Sequence, residues 1–267
     1  LEERERDSEL SGSGSKSGSG SGSILNLDHL QGISPVPLED SSGSPQNAID
    51  MPTATLFDLL SCGPVWAIIL AQYSQSWGMV GLLSWLPTYF ADKYDVPVGA
   101  LASYTTLPYL LQLMVSVSAG YMADYLISPQ RGWRIIHVRQ LMQVSGMILP
   151  ALLLFLCAYI PNLSVNEAAI FVTAGSALSA LTVAGVSCSH FDISPRNAGA
   201  IFGIGNTAGC IGGAIAVPIS GWIYDQTHSW DVVFFAFSLH YVGGAIAWML
   251  LASDKPLLFN STIKATK

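Results

Sequence analysis

The sequence predicts an all-α integral membrane protein, a bundle of six transmembrane helices, and three observations carry the prediction. Apolar residues make up 51% of the chain and charged residues only 11%, where a soluble domain carries about a quarter charged. The charges crowd into roughly the first fifty positions and into short gaps between apolar runs. A lipid solvent imposes that distribution, because a charge at the bilayer centre costs at least roughly 2.5–3.5 kcal/mol. The runs reach the roughly 20 residues that a hydrocarbon core demands of a helix, and they do not alternate as barrel strands do.

Residues 1–51 precede the membrane part. LEERERDSEL and SGSGSKSGSGSGS are polar and low in complexity, and polar, Pro-containing sequence continues to about Ile49. Such a stretch cannot bury a core of its own. It is expected to be a flexible Ser/Gly-rich cytoplasmic segment, the end of a loop between domains or in part a vector-derived scar. The chain opens on Leu1 without a signal-peptide pattern and reads as a piece of something longer. A membrane part at 52–253 and a cytoplasmic tail at 254–267 complete the expected organisation.

The six spans fall at about 64–90, 97–124, 135–160, 166–188, 197–224 and 231–252. In the first, Gln72, Tyr73, Ser74, Gln75, Ser76 and Trp77 form a polar row at mid-membrane. Such a row is costly against lipid and points to a water-filled pathway, with Tyr73 and Gln75 placed to donate hydrogen bonds to an anion. Trp77 needs a polar partner or a cavity. Tyr104, Thr105, Thr106 and Gln112 give the second span a polar stripe, for which packing is the expected role; Pro87 and Pro108 are expected to bend their helices. The second span ends in Gly120-Tyr-Met-Ala-Asp124, followed by Arg131, Arg134 and Arg139. A carboxylate beside a cluster of arginines is expected to gate the cytoplasmic side; the bland alternative is a set of interfacial charges that only define topology.

Ser189-His-Phe-Asp-Ile-Ser-Pro-Arg-Asn-Ala-Gly199 joins the fourth and fifth spans, with Pro195 at the break. Asp192 and Arg196 are placed to pair with each other or with Asp124 and Arg139. His190 at the membrane edge reads either as a structural hydrogen-bonder or as a proton carrier. The fifth span carries Gly199-xxx-Gly203 and Gly205-xxx-Gly209-xxx-Gly213, small-residue patterns that let helices approach closely. Gly203-Ile-Gly-Asn-Thr-Ala-Gly209 imitates a dinucleotide fingerprint, but no strand precedes it. Asn206 and Thr207 lie at depth in this span, as helix glue or as substrate contacts.

Loop charges orient the bundle. With the segment before the first span cytoplasmic, Arg131, Arg134, Arg139, Arg196, Lys255, Lys264 and Lys267 share that side, and the other holds only Lys93. Both ends of the chain would then be cytoplasmic. Trp66, Trp85, Trp133, Trp222 and Trp230 sit near span ends as interfacial anchors. Of two sequons, Asn162-Leu-Ser164 falls on the non-cytoplasmic side and Asn260-Ser-Thr262 in the tail. Cys62, Cys157, Cys188 and Cys210 lack metal or redox spacing and read as buried small hydrophobes. Nothing forms a basic stripe for nucleic acid, and no catalytic or metal constellation is present, so neither enzyme chemistry nor a cofactor is expected.

Taken together, Pro64-Val-Trp-Ala-Ile68, Leu86-Pro-Thr-Tyr89, Leu107-Pro-Tyr-Leu110, Gly120-xx-Ala-Asp124, Val138-Arg139, His190-Phe-Asp-Ile-Ser-Pro-Arg196, Gly203-Ile-Gly-Asn-Thr207 and Ser229-Trp-Asp-Val-Val-Phe234 resemble the anion:cation symporter branch of the major facilitator superfamily. That branch includes sialin, vesicular glutamate transporters, sodium–phosphate cotransporters and plastid phosphate-anion transporters. The resemblance covers about residues 52–253 and implies the C-terminal half of a twelve-helix fold, whose N-terminal six-helix bundle is missing from this chain. It implies a secondary active transporter moving an organic or inorganic anion, such as phosphate or a carboxylate, across a plasma or organelle membrane, plastid included. Transport would run by alternating access on a gradient of H+ or Na+. The alternative is a non-transporting scaffold or regulatory half. Where vesicular glutamate transporters have an arginine facing the anion, this chain has Gln75.

Overall fold

In a computed structural model, residues 54–257 are described; the expectations for the leading segment, for Lys264 and Lys267 and for the sequon at Asn260 lie outside the described residues. The described part is helical from end to end: α1 (Leu56–Leu60), α2 (Gly63–Tyr94), α3 (Val98–Ile127), α4 (Ile135–Tyr159), α5 (Val165–Ser179), α6 (Val186–Ile193), α7 (Ala198–Thr227) and α8 (Trp230–Leu251), with 3-10 turns at Ala180–Ala184 and Pro195–Asn197. Local chemistry sets the ends. Thr55 with Asp58 and Ser164 with Glu167 form reciprocal capping boxes that open α1 and α5. Pro64 stands in the first turn of α2, where no intrahelical donor is needed. Asp95 and His228 close α2 and α7 in the left-handed conformation.

Five helical stretches are long and apolar enough to cross a membrane: α3, α4, the run from Val165 to Ile193, the run from Pro195 to Thr227, and α8. The chain is a multi-pass membrane protein. α2 spans 32 residues and is the sixth helix of the bundle; its polar row from Gln72 to Ser76 sets it apart from the other five. It lies between α7 and α8; α8 also packs on α4, α4 on α5, and α5 on α3. Alternating directions bring Arg131, Arg134 and Arg139 to one end of the bundle and Lys93 to the other.

The interior consists of an aromatic cluster toward the Lys93 end, with Tyr89, Phe90, Trp230, Phe234, Phe237 and Tyr241, and an aliphatic cluster with Trp248 toward the arginine end. Large apolar side chains also cover the outside: Leu110, Leu113 and Met114 on α3, Ile211 and Ile215 on α7, Leu239 and Ile246 on α8 are all exposed. That surface suits lipid, where apolar exposure costs nothing.

The fourth span departs from its expectation. It is not one helix over 166–188 but two, parted at Gly185, whose backbone (φ −91°, ψ −97°) leaves the helical region. A Cβ on Gly185 would sit 2.6 Å from Gln143 Oε1 and 2.8 Å from Gln143 Cβ. The close approach of α4 therefore requires a glycine at the point where the helix breaks.

Candidate functional site

Glycines bring α7 onto α2. A Cβ at Gly205 would lie 2.8 Å from Ile68, at Gly209 2.9 Å from Ser76 Oγ, at Gly212 2.5 Å from the Tyr73 carbonyl oxygen and at Gly213 3.1 Å from Val80. Gly205, Gly209, Gly212 and Gly213 are thus contact positions on α2. Gly199 and Gly203 are not: they face open space, because they lie on the side of α7 turned away from α2.

Along the edge of this contact runs a groove of about 340 Å³, lined by Gln72, Ser76 and Val80 of α2 and by Asn206, Cys210 and Ala214 of α7. Asn206 and Thr207 are exposed beside it. Thr207 Oγ1 donates back to the Gly203 carbonyl at 2.8 Å, while the Asn206 amide has only a 4.0 Å approach to Cys210 Sγ. Gln75 is half-buried and, by helical spacing, shares a face of α2 with Gln72 and Met79. Across from that face, Gln112 of α3 reaches Met79 Sδ and Ser179 Oγ, each at 3.3 Å. Gln112 thus links α3 to α2 and to the end of α5 at mid-helix depth.

Tyr73 and Trp77 do not belong to this groove. The Trp77 ring stacks on His240 of α8 with centroids 4.0 Å apart and planes 3° from parallel, and Tyr73 lies 6.4 Å from the same imidazole. Helical phase explains the separation: the two aromatics turn toward α8 while Gln72, Gln75 and Met79 turn away from it. Trp77 has an aromatic neighbour, yet its buried indole N–H has no hydrogen-bond partner among the described residues. His240 Nδ1 lies 2.9 Å from the Ala236 carbonyl. Sequence reasoning passed over His240, although a titratable residue inside an apolar run is itself a signal.

At the arginine end the charges sort into separate pairs. Arg139 Nε donates to Asp192 Oδ2 at 2.7 Å, with both side chains largely buried, and Arg139 Nη1 donates to the Ala184 carbonyl at 2.9 Å. Arg131 instead hydrogen-bonds the Tyr125 hydroxyl and stacks on its ring, and Arg134 pairs with Asp254 at 3.5 Å. Asp124 is exposed and makes no ion pair among the described residues. The expected cluster of Asp124 with three arginines does not form: each arginine has a partner of its own, and the shielded ion pair is Arg139–Asp192. His190 is buried against Phe191 and Phe202, and Arg196 is exposed on the 3-10 turn that precedes α7. Gln143, also passed over in the sequence, is fully buried and accepts from the Val186 N–H at 2.9 Å.

The opposite end carries an aromatic cluster in which Tyr224 stacks on Trp230. Asp92 accepts hydrogen bonds from the Tyr224 hydroxyl and from Trp230 Nε1, which hold its carboxyl below the usual carboxylate range. Lys93 Nζ meets Asp231 at 2.7 Å. Trp230, expected as an interfacial anchor, is core, whereas Trp66, Trp133 and Trp222 are exposed as anchors should be. Of the cysteines only Cys157 is buried, and Cys210 is exposed on the groove. A mainly apolar cavity of about 590 Å³ lies between α3 and α5 beside Tyr104 and Asn166. Among the described residues no three His, Cys, Asp or Glu side chains gather as a metal site would require. The arrangement offers neutral hydrogen bonds at mid-helix depth and a shielded ion pair at one end.

Comparison with known proteins gives the same picture. A family model described as Major Facilitator Superfamily matches residues 33–217. "Probable anion transporter 5, chloroplastic" of Oryza sativa subsp. japonica is 34% identical over 86% of this chain and 48% of its own length. "Ascorbate transporter, chloroplastic" of Arabidopsis thaliana is 32% identical over 75% of this chain and 36% of its own. "Sodium-dependent phosphate transport protein 1, chloroplastic", also of Arabidopsis thaliana, is 31% identical over 75% of this chain and 38% of its own. The chain spans about half or less of the length of the curated relatives it matches.

Proposed function

The chain belongs to the Major Facilitator Superfamily, a family of transporters rather than enzymes, and from that premise we propose that it supplies one six-helix half of an anion transporter. The second half is a further six-helix bundle, and the solute, an organic anion such as a carboxylate or an inorganic one such as phosphate, passes between the two by alternating access. The groove between α2 and α7 is the observation that carries the reading. It sets Gln72, Ser76 and Asn206 at membrane depth, where polar side chains face a pathway or a partner rather than lipid. Gln75 and Thr207 flank it, and the Arg139–Asp192 pair is the gate at the arginine end. By the positive-inside rule that end, with both ends of the chain, is cytoplasmic-side. Coupling to H+ or Na+ supplies the driving force, and the relatives' names favour a plastid membrane.

The test is uptake of radiolabelled phosphate and ascorbate into vesicles holding the protein together with its second bundle. Asn206→Ala and Gln75→Ala are expected to raise the apparent KM for the accepted anion severalfold. Unchanged KM in both, across every accepted anion, removes these residues from the pathway. Absence of uptake of any anion by the unaltered protein favours the scaffold reading.

A further inference from the structure

Resting on the transporter reading, we infer that Gln143 is a positioning residue for transport: it clamps α6 to α4 across the break at Gly185, so that α6 travels with α4 while α5 pivots against it.

Parting a helix in hydrocarbon frees backbone groups that water cannot satisfy, and a spanning helix tolerates this only where neighbours supply the missing partners. Here α4 supplies them on both sides of Gly185. Arg139 Nη1 donates to the Ala184 carbonyl, and Gln143 Oε1 accepts from the Val186 N–H, each at 2.9 Å. The two residues are four apart and so lie on one face of α4. On the far side of the break α6 serves itself, the Gly185 carbonyl accepting from Ser189 Oγ at 2.9 Å.

Gln143 has no other evident purpose. It is fully buried, and among the described residues its amide nitrogen meets only Met147 Sδ at 3.3 Å. A buried amide is unfavourable unless hydrogen-bonded, so what offsets its burial is the bond to Val186. Two glycines admit the contact: besides Gly185, Gly146 of α4 sits where a Cβ would lie 2.8 Å from the Thr182 nitrogen.

The other end of α6 is fastened away from α5 as well. Asp192 pairs with Arg139, and the Ile193 carbonyl accepts from the Leu257 N–H at 2.8 Å. Toward α5 there is only the 3-10 turn Ala180–Ala184, a hydrogen-bonding pattern weaker than the α-helix and frequent at hinges. Ser179, the last residue of α5, is the one that Gln112 contacts near the polar depth of the bundle. Movement of α5 at that depth would therefore be taken up in the turn, while Gln143 keeps α6 with α4 whether the Arg139–Asp192 pair is closed or parted.

Amide hydrogen exchange of the protein in lipid nanodiscs, together with its second bundle, tests the clamp directly. Gln143→Met keeps length but removes the carbonyl acceptor; Gln143→Glu keeps length and a carboxyl oxygen as acceptor. Peptides covering 180–193 should exchange at least tenfold faster in Q143M and at the unaltered rate in Q143E, with peptides from α2 and α7 unchanged in both. Radiolabelled phosphate uptake on the same preparations should show a maximal rate down about tenfold in Q143M at unchanged KM, restored in Q143E. Equal exchange over 180–193 in Q143M and the unaltered protein overturns the clamp. Faster exchange with an unchanged maximal rate overturns its role in transport. If Q143M does not fold, Gly185→Ala, whose methyl would press on Gln143, makes the same predictions. Exchange needs no transport, so an unaltered protein that takes up no anion defeats the transporter reading while the clamp is still decided by exchange.

Discussion

At the scale of single residues, glycine positions that look alike in the sequence differ in what surrounds them. Gly203 and Gly212 both lie within α7, but a methyl at Gly203 meets open space and one at Gly212 would press against the Tyr73 backbone. Gly203→Ala is therefore expected to be neutral or mildly stabilising, by about 0.5–1 kcal/mol through helix propensity. Gly212→Ala should cost about 1–3 kcal/mol by overpacking α2 against α7. Thermal unfolding of the two variants in one detergent checks the difference, and equal midpoints would refute it. The Gly199/Gly203 pair shows the limit of motif reading: spacing identifies residues that permit close approach, not the helix that approaches.

At the scale of elements, the Lys93 end ties α2 to α7 and α8 through Asp92. Its carboxyl is held below the ordinary range by the Tyr224 and then the Trp230 hydrogen bonds. A carboxylate depressed in the folded state stabilises above its unfolded pKa, about 4. The contribution is lost as pH falls through the lower folded value. Acid titration should thus loosen this end first, and Asp92→Asn should lower the melting temperature near neutral pH while flattening the slope below about pH 4. A slope unchanged by D92N, followed by thermal scans across that range, would show that another group controls acid stability. The nearby Lys93–Asp231 pair is more exposed and, like most surface ion pairs, should contribute about 0–1 kcal/mol.

At the scale of the whole molecule, the Arg139–Asp192 pair links α4 with the end of α6, and Arg139 also holds the Ala184 carbonyl. Removing one partner of a shielded pair leaves the other charge uncompensated, which in fully buried cases costs about 3–5 kcal/mol. Arg139→Ala is expected to approach the lower end of that range and to slow anion uptake. Arg131→Ala, which removes an exposed contact to Tyr125, should stay within about 0.5 kcal/mol. Unfolding and uptake measured on both variants separate a gate specific to Arg139 from a general need for positive charge at this end.

The sequence by itself determined the all-helical membrane class and, within a few residues, the ends of most of the long helices. It did so because lipid excludes charge from a span and because Pro, Gly and capping residues mark where a helix starts and stops. It also singled out Gln75, Asn206, Arg139 and Asp192 as polar or charged groups that needed an explanation. Only the tertiary structure decided which way each helix faces. In water, an apolar stripe marks the buried face, but here lipid and core are both apolar and the stripe vanishes. Tyr73 and Trp77 could thus be read beside Gln75 when they in fact turn toward His240, Trp77 stacked on its ring and Tyr73 tilted 6.4 Å from it, and Asp124 into a cluster it does not join. The division of the fourth span was hidden for the same reason. Gly185 alone is a weak signal, for Gly175 in the same span lies inside a helix, and the partners that stabilise the break, Arg139 and Gln143, reside on another helix.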